Sequence, residues 1–563
     1  MFEKLSAERK QLQIDGEVPS YYTTQGYIMF KRKYAYKGET VKGAFTRISK
    51  HLAQYDPREE AEERFFNLMW SGKFAPSTPV MCNTGTNRGM PVSCAGNYVG
   101  DTIEDFYECN AEIAVLSKNG FGTASYLGDV RHRGAIIGSS GGEADGIVPL
   151  FDTYCDTKTK ISQGSSRRGE WAGYVNISHP DFWEMIGYIQ KNPASANIGW
   201  VYELEDYEAL KSGDEEAVRR WNEVLYMRCR TGKGYMWKNW IANKDAPAPI
   251  KNSGIRIRSS QLCTEISLPA DEDHTFTCIL SSLNLTYWDE MTDDDIKWSI
   301  RLLDAVCSDF LKLATGKKFM EKAVRFTEKA RAIGLGTLGY HSYLQQNMVA
   351  FESGEAHMIN NQIYSRLRKV AQEASIELGE ELGVPLWCQG AGEQRNATLL
   401  TIAPNMSSAL LAGGVSQGVE PIICNAFIQQ SNSGDFIRTN PTFVKLAVSK
   451  GMYSQELLDD LAINHYGSVQ HLTWLTPEEK MVFRTAYEID QLAIIRKASA
   501  RQRHLDQTQS INLFFSADEK EEVIAKVHHA FIEDERMISL YYLRSERGVA
   551  ASNGESTCQA CEG

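Results

Sequence analysis

"RSSQLCTEISLP", residues 258–269, places an amide, a thiol and a carboxylate at alternate positions: Gln261, Cys263 and Glu265. Side chains alternate across an extended chain, so in a strand these three point to one side. On a surface strand the spacing means nothing. Around a bound substrate it sets a cysteine between a hydrogen-bonding amide and an acid–base group. The surroundings built by the rest of the chain decide between the two.

The chain has 563 residues, 42% hydrophobic and 23% charged, the composition of a large globular protein. A net charge of -12 argues against a general binder of nucleic-acid polymers or of membrane surfaces. There is no apolar run of roughly 18 residues, so no transmembrane helix is expected. "MFEKLSAERK" does not read as a secretory signal. Twelve cysteines are too dilute for a disulfide scaffold, which points to a reducing cytoplasm.

Amphipathic helices are predicted over 59–70, 293–314, 355–383 and 521–544 from apolar residues at three-to-four spacing. Strand-length runs lie between them: "AGYVNIS", "TFTCILSSLNLT", "ATLLTIAP", "VEPIICNAF" and "QSINLFF". Strands alternating with long helices predict an α/β architecture, with a barrel more natural than an open sheet at this length. Gly-rich stretches such as "GSSGGEADG" and "LLAGGVSQGVEP" could bring backbone N–H groups to a phosphate, or serve as tight turns. "GLGTLG" at 334–339 spells G-x-G-x-x-G but follows a helix-like stretch, a poor context for a dinucleotide loop. The chain closes on "ASNGESTCQACEG", a C-x-x-C pair, Cys558 and Cys561, in a segment too polar to fold. By itself the pair fits half of a zinc site, a redox dithiol, or neither.

"QLCTEISLP" resembles the finger-loop motif, N-x-C-x-E, of ribonucleotide reductase large subunits. Further segments similar to that family follow in its order: "STPVMCNTGT…PVSC", "GFGTASYLGDVRHRG", "FTCILSSLNL", "RAIGLGTLGY", "APNMSSALLAGGVSQGVEP", "DQTQSINLFF", "SLYYLRSERG" and the terminal dithiol. The resemblance runs from about residue 25 to the end. It implies a ten-stranded α/β barrel with a central finger loop, a short helical segment at 1–60, the barrel at 61–547 and a flexible redox tail at 548–563. Many large subunits begin with a cone-shaped ATP-binding regulatory domain, and none is expected here.

The same resemblance implies the roles. Cys263 would become a transient thiyl radical that abstracts the 3′-hydrogen of a ribonucleotide, with Glu265 as base on the 3′-hydroxyl. Gln261 would hydrogen-bond the substrate where the family usually has Asn. Cys94 and Cys278 match the pair oxidised in each turnover. Cys558 and Cys561 match the shuttle that reduces it again and is itself reduced by a thioredoxin- or glutaredoxin-like protein. Thr78, Ser93 and Gly122 match substrate contacts. Asn405, Met406, Ser407 and Ser408 fall in the phosphate-binding turn, where Met406 replaces a residue that is often acidic. Asp101 and Arg131 match positions that bind a dNTP or ATP effector, and "QKNPASANIGW" (190–200) resembles the loop that passes effector identity to the substrate pocket.

Adjacent Tyr541 and Tyr542, at the end of the predicted last helix, resemble the relay of class I enzymes. That implies a radical supplied by the metallocofactor of a separate beta subunit, no metal or tightly held cofactor in this chain, ribonucleoside diphosphate substrates and a homodimer. An adenosylcobalamin-dependent class II reductase is the alternative. A dithiol oxidoreductase using only the C-x-x-C pair leaves the finger loop without a purpose. A scaffold on a decayed reductase fold leaves the five matching cysteines without one.

Overall fold

The strand-length runs pair into a closed ring. The computed structural model describes residues 2–138, 141–163, 167–194, 197–429 and 436–545. One set of five strands runs in chain order, each parallel to the next: Cys94–Tyr98, Gly122–Tyr126, Glu170–Asn176, Ile198–Tyr202 and Tyr235–Lys238. The second set begins with Phe276–Asn284 and Ile333–Leu338, again parallel. It continues through the parallel bridges Leu335↔Leu400 and Ile402↔Gln509 and ends where Leu513–Phe515 pairs with Leu543–Ser545. The two sets are antiparallel and meet at two seams, Cys94↔Cys278 and Trp237↔Ser539. Two sets of five, joined at both edges, make the expected ten-stranded barrel and leave its sheet with no free edge to protect.

The runs at 397–404 and 508–512 are mostly irregular, held in the ring by single bridges rather than full ladders. "VEPIICNAF" is not a barrel strand. Only its end enters regular structure, where Ala426–Gln429 pairs with Phe436–Thr439 as a hairpin outside the ring. "GLGTLG" lies in a strand, not a phosphate loop. A Cβ on Gly334 would sit 2.4 Å from the Thr401 side chain and 3.4 Å from the Cys278 sulfur, so glycine here permits close packing.

The long helices follow the periodicity. Thr292 caps Asp293–Ala314 with a reciprocal capping box to Asp295, and Gly383 at φ 90° ends Gly354–Leu382. The last helix stops at Glu533, well short of 544. Its terminal carbonyls are taken by Lys238 Nζ, which donates to Phe531 O at 2.8 Å and also to Asp534 O. Asp534 Oδ1 then accepts from the backbone N–H groups of Arg536 and Met537, turning the chain into the barrel. The α-helices Phe2–Ile14, Thr24–Met29, Val41–Ala53 and Ala61–Trp70 and the π-helical turn Phe30–Tyr34 precede the short strand Phe74–Pro76, which pairs with Phe276–Asn284.

One buried ion cluster pins a helix to the ring. Asp304 accepts from Arg331 Nε and Arg395 Nε, each at 2.8 Å, and from Asn396 Nδ2 at 2.9 Å. Burial pushes the Asp304 carboxyl up, but the two guanidinium groups outweigh it and hold it below its ordinary value. A depressed folded pKa stabilises above the unfolded value, about pH 4, and the contribution is lost as pH falls through the folded one. Asp304→Ala leaves two arginines without their shared anion, and is expected to cost about 3–5 kcal/mol in urea unfolding at neutral pH. A change below about 1 kcal/mol, the usual worth of an exposed pair, would show that the cluster contributes no more than a surface one.

Candidate active site

The finger loop is held from both halves of the ring. Tyr174, in the first set of strands, donates from its hydroxyl to Gln261 O at 2.6 Å. From the second set, Thr401 Oγ1 donates to Glu265 O at 2.6 Å, Thr508 N to the same oxygen at 3.0 Å, and Ser539 Oγ to Thr264 O at 3.1 Å. Anchors on opposite walls place the loop inside the barrel. The loop is not extended, so the alternation of side chains along a strand does not apply. It turns at 262–264, with Thr264 N bonded to Gln261 O and Thr264 at φ 70°, a left-handed conformation that the anchors impose.

Gln261, Cys263 and Glu265 are buried together at the turn. Gln261 Oε1 accepts from the Cys263 backbone N–H, which ties the amide to the thiol-bearing residue. Its Nε2 is buried and has no partner among the described residues. A buried amide donor without an acceptor costs about 1–3 kcal/mol, which a substrate oxygen would recover. Ser510 lies against both neighbours: its hydroxyl contacts Cys263 O and is 2.9 Å from Glu265 Oε2.

Cys94 and Cys278 face each other across the antiparallel seam. Directly opposed residues of such a pair have Cα atoms roughly 4.5–5.5 Å apart, within the span of a disulfide. Both cysteines are buried, and neither is in a disulfide. Burial pushes the Cys278 thiol well up, opposed by a hydrogen bond from Gln507. Gln507 Nε2 lies 3.4 Å from the sulfur, while its Oε1 accepts from Ser267 N at 3.2 Å just past the finger loop. Gln507 and Ser510 lie in "DQTQSINLFF", a segment that carries the resemblance as a whole; nothing local in the sequence gives either a role. If Cys278 ionises during exchange, Gln507→Leu removes a donor to a charged sulfur, worth about 1.5–3 kcal/mol. Dithiol-driven turnover should then fall by roughly tenfold or more. Unchanged turnover would leave Gln507 as wall packing.

Tyr541 and Tyr542 lie in the barrel wall, not at a helix end. Their ring centroids are 4.1 Å apart. A third ring, Tyr235 from the first set of strands, joins them: its hydroxyl is 3.1 Å from that of Tyr542 and its centroid 5.0 Å from that of Tyr541. Arg228 Nη1 donates to Tyr541 O at 2.9 Å, and Tyr541 N to Ile511 O at 2.8 Å, one residue beyond Ser510. The tyrosine cluster is therefore joined through the 508–512 segment to the finger loop.

At the rim, Thr78 opens the helix Thr78–Asn83 and shares a 2.9 Å hydrogen bond with Tyr34. Ser93 Oγ is 3.4 Å from Ser77 Oγ, and Ser93 O accepts from Gly122 N. Ser408 Oγ donates to Pro76 O at 3.3 Å. The turn at 76–78 thus brings Thr78, Ser93, Gly122 and Ser408 into one neighbourhood. Ser407 and Ser408 lie in the first turn of Met406–Leu411. Asn405 has a bracing position: it accepts from Ser282 Oγ and donates to Thr337 O and Ala403 O.

Asp101 and Arg131 lie apart from this neighbourhood, in a hollow of ≈ 710 Å³ against the helices Ile103–Lys118 and Ile147–Lys160. They pair with each other, Arg131 Nε to Asp101 Oδ2 at 2.7 Å, so a ligand using both must share or open that pair. Of the 190–200 loop, Ser195 and Ala196 fall outside the described residues, as do Cys558 and Cys561.

A thiol-bearing loop threaded through an α/β barrel whose wall presents two facing thiols defines the site of an oxidoreductase. The profile described as "Ribonucleotide reductase, barrel domain" matches residues 92–200, 192–388 and 389–534, and "Ribonucleotide reductase, all-alpha domain" matches 21–89. The chain belongs to the ribonucleotide reductase family, and its likeness is to large subunits. A Frog virus 3 protein named for a ribonucleoside-diphosphate reductase large subunit is 34% identical over 540 residues, covering 90% of this chain and 93% of that one. A vitamin B12-dependent ribonucleoside-diphosphate reductase of Thermoplasma acidophilum is 29% identical, over 83% of this chain and 63% of that one. The solved alpha subunit of the class Id ribonucleotide reductase of Actinobacillus ureae superposes with a TM-score of 0.87 at 34% identity, covering 96% of this chain and 99% of that one.

Proposed function

We propose that this chain is the alpha subunit of a class I ribonucleotide reductase and converts ribonucleoside diphosphates to 2′-deoxyribonucleotides. The observation that supports it best is the pair Cys94 and Cys278, opposed on the wall beside a buried loop that presents Cys263. Tyr542 and then Tyr541 pass an oxidising equivalent inward, and Cys263 yields its S–H hydrogen to become a thiyl radical. That radical takes the 3′-hydrogen of the substrate while Glu265 accepts the 3′-hydroxyl proton. The site holds thiol and substrate in one orientation, where pre-paid positioning is worth the most. Overall the 2′-hydroxyl leaves as water, hydrogen takes its place, and the two thiols supply the electrons by becoming a disulfide. Cys263 recovers its hydrogen at the end of the cycle. Gln261 Nε2 donates to the substrate; Thr78, Ser93 and Gly122 meet its sugar and base; the turn at 405–408 meets its phosphates.

The Cys94–Cys278 disulfide would be reduced by thiolate exchange with Cys558 and Cys561, and these in turn by a thioredoxin- or glutaredoxin-like protein in a reducing cytoplasm. The hollow at Asp101 and Arg131 would take a dNTP or ATP effector. Exposed Ile103 and Tyr107 beside it suit a homodimer face. Among the described residues, no helix is long and apolar enough to cross a membrane.

A class II reading is favoured by the likeness to the vitamin B12-dependent relative and opposed by the three-tyrosine cluster. Purified chain, a dithiol, an effector deoxynucleotide and a ribonucleoside diphosphate distinguish them. Turnover only after adding a radical-generating beta subunit supports class I. Turnover with adenosylcobalamin alone overturns it.

A further inference from the structure

Outside the barrel, residues 441–483 form a lobe around its own apolar core, which includes Phe443, Leu461, Val469, Leu472 and Phe483. At its surface three metal-ligating side chains converge. Asp460 opens the π-helical turn Asp460–Asn464, His465 follows it, and His471 comes from the next loop. Their ligand atoms all lie within 4.8 Å of one another. Asp460 Oδ2 is 2.8 Å from His471 Nε2, and Oδ1 is 3.7 Å from His465 Nε2. The two imidazoles lie face to face, centroids 3.4 Å apart and planes 12° apart.

We propose that Asp460, His465 and His471 form a binding site for a divalent transition-metal ion of the zinc class, which staples the 460–465 turn to the loop at 471. Two imidazoles and one carboxylate are a donor set suited to that class, with a fourth position left for water. Metal–nitrogen bonds of about 2.0–2.1 Å in a tetrahedral site put the two nitrogens roughly 3.4 Å apart. The stacked rings hold their in-plane lone pairs nearly parallel, so binding an ion requires the half-exposed imidazoles to turn out of the stack until both lone pairs converge on it.

The ligands stand on fixed backbone. Buried Leu461 follows Asp460, and buried Leu472 follows His471. Between them Ser468 N bonds to His465 O at 2.8 Å and Gly467 N to Leu461 O at 2.7 Å, which sets the position of His465. Asn464 Nδ2 donates to Asp460 Oδ1 at 2.9 Å and orients the carboxylate from behind. His471 Nδ1 is buried with no acceptor among the described residues, so its ring lacks that support. Binding weaker than that of the tightest structural zinc sites follows. None of these residues belongs to the proposed nucleotide chemistry, so this site stands or falls separately.

The test uses the full chain, free of affinity tags, with Cys558→Ser and Cys561→Ser so that the terminal dithiol binds nothing. After EDTA treatment and dialysis it is titrated with Co²⁺, followed by visible d–d absorption, and with competing Zn²⁺. One ion per chain is expected. His465→Ala and His471→Ala should each weaken binding by roughly tenfold or more, the scale on which even supporting groups act. Tm in EDTA should stay that of the parent, because the rings are half-exposed, while Zn²⁺ should raise Tm in the parent alone. Equal stoichiometry and affinity in parent and variants, or no bound ion at millimolar Zn²⁺, would overturn the site.

Discussion

Cys263→Ser is expected to abolish nucleotide reduction while leaving the barrel folded and nucleotide binding intact. Serine fills nearly the same volume, and the loop's anchors run through backbone oxygens of Gln261, Thr264 and Glu265 that the substitution does not touch. What changes is the bond to be broken. An O–H group yields its hydrogen far less readily than S–H. A barrier higher by only about 5.5 kcal/mol already lowers the rate roughly 10⁴-fold. Activity within tenfold of the parent, with an unchanged dissociation constant for substrate, would falsify the assignment of Cys263 as the radical-bearing group.

Tyr541→Phe and Tyr542→Phe should each reduce beta-dependent turnover by roughly a thousandfold or more, a barrier change of about 4 kcal/mol. Phenylalanine keeps the ring packing and removes only the hydroxyl from which hydrogen can be lost. Stability and effector binding should therefore stay near the parent. Tyr235→Phe gives the internal comparison. It deletes the hydrogen bond to Tyr542 and spares the tandem phenols, so a loss of about 0.5–1.5 kcal/mol, roughly two- to tenfold, is expected. If all three variants turn over alike, the cluster is packing and the beta-dependent relay has to run elsewhere.

The helices at 293–314 and 354–382 were legible because periodicity and caps act within a few residues of chain. The strand at 276–284 was legible because it is buried along its whole length. The finger loop stood out by its residue types, while its shape was left open. The left-handed Thr264 is imposed by Tyr174, Thr508 and Ser539, and a local alternation pattern holds no trace of them. Gln507 was missed for the same reason: its link to Cys278 spans 229 positions, and that of Tyr235 to Tyr542 spans 307. The last helix was drawn too long because apolar spacing continues past Glu533, while the carbonyl acceptors that end it are claimed by Lys238, far away in sequence.

The seam between Cys94 and Cys278 gives the proposed cycle a mechanical side. Those residues close the ring where its two halves run in opposite directions, so a bond between them would rivet one half to the other. The rivet encloses every strand of the first half in one covalent loop, a constraint worth about 5 kcal/mol on the unfolded chain. An enzyme starved of reductant would stop in its toughest form and soften again each time electrons arrive. Resistance to heat would then report how much of the population awaits reduction.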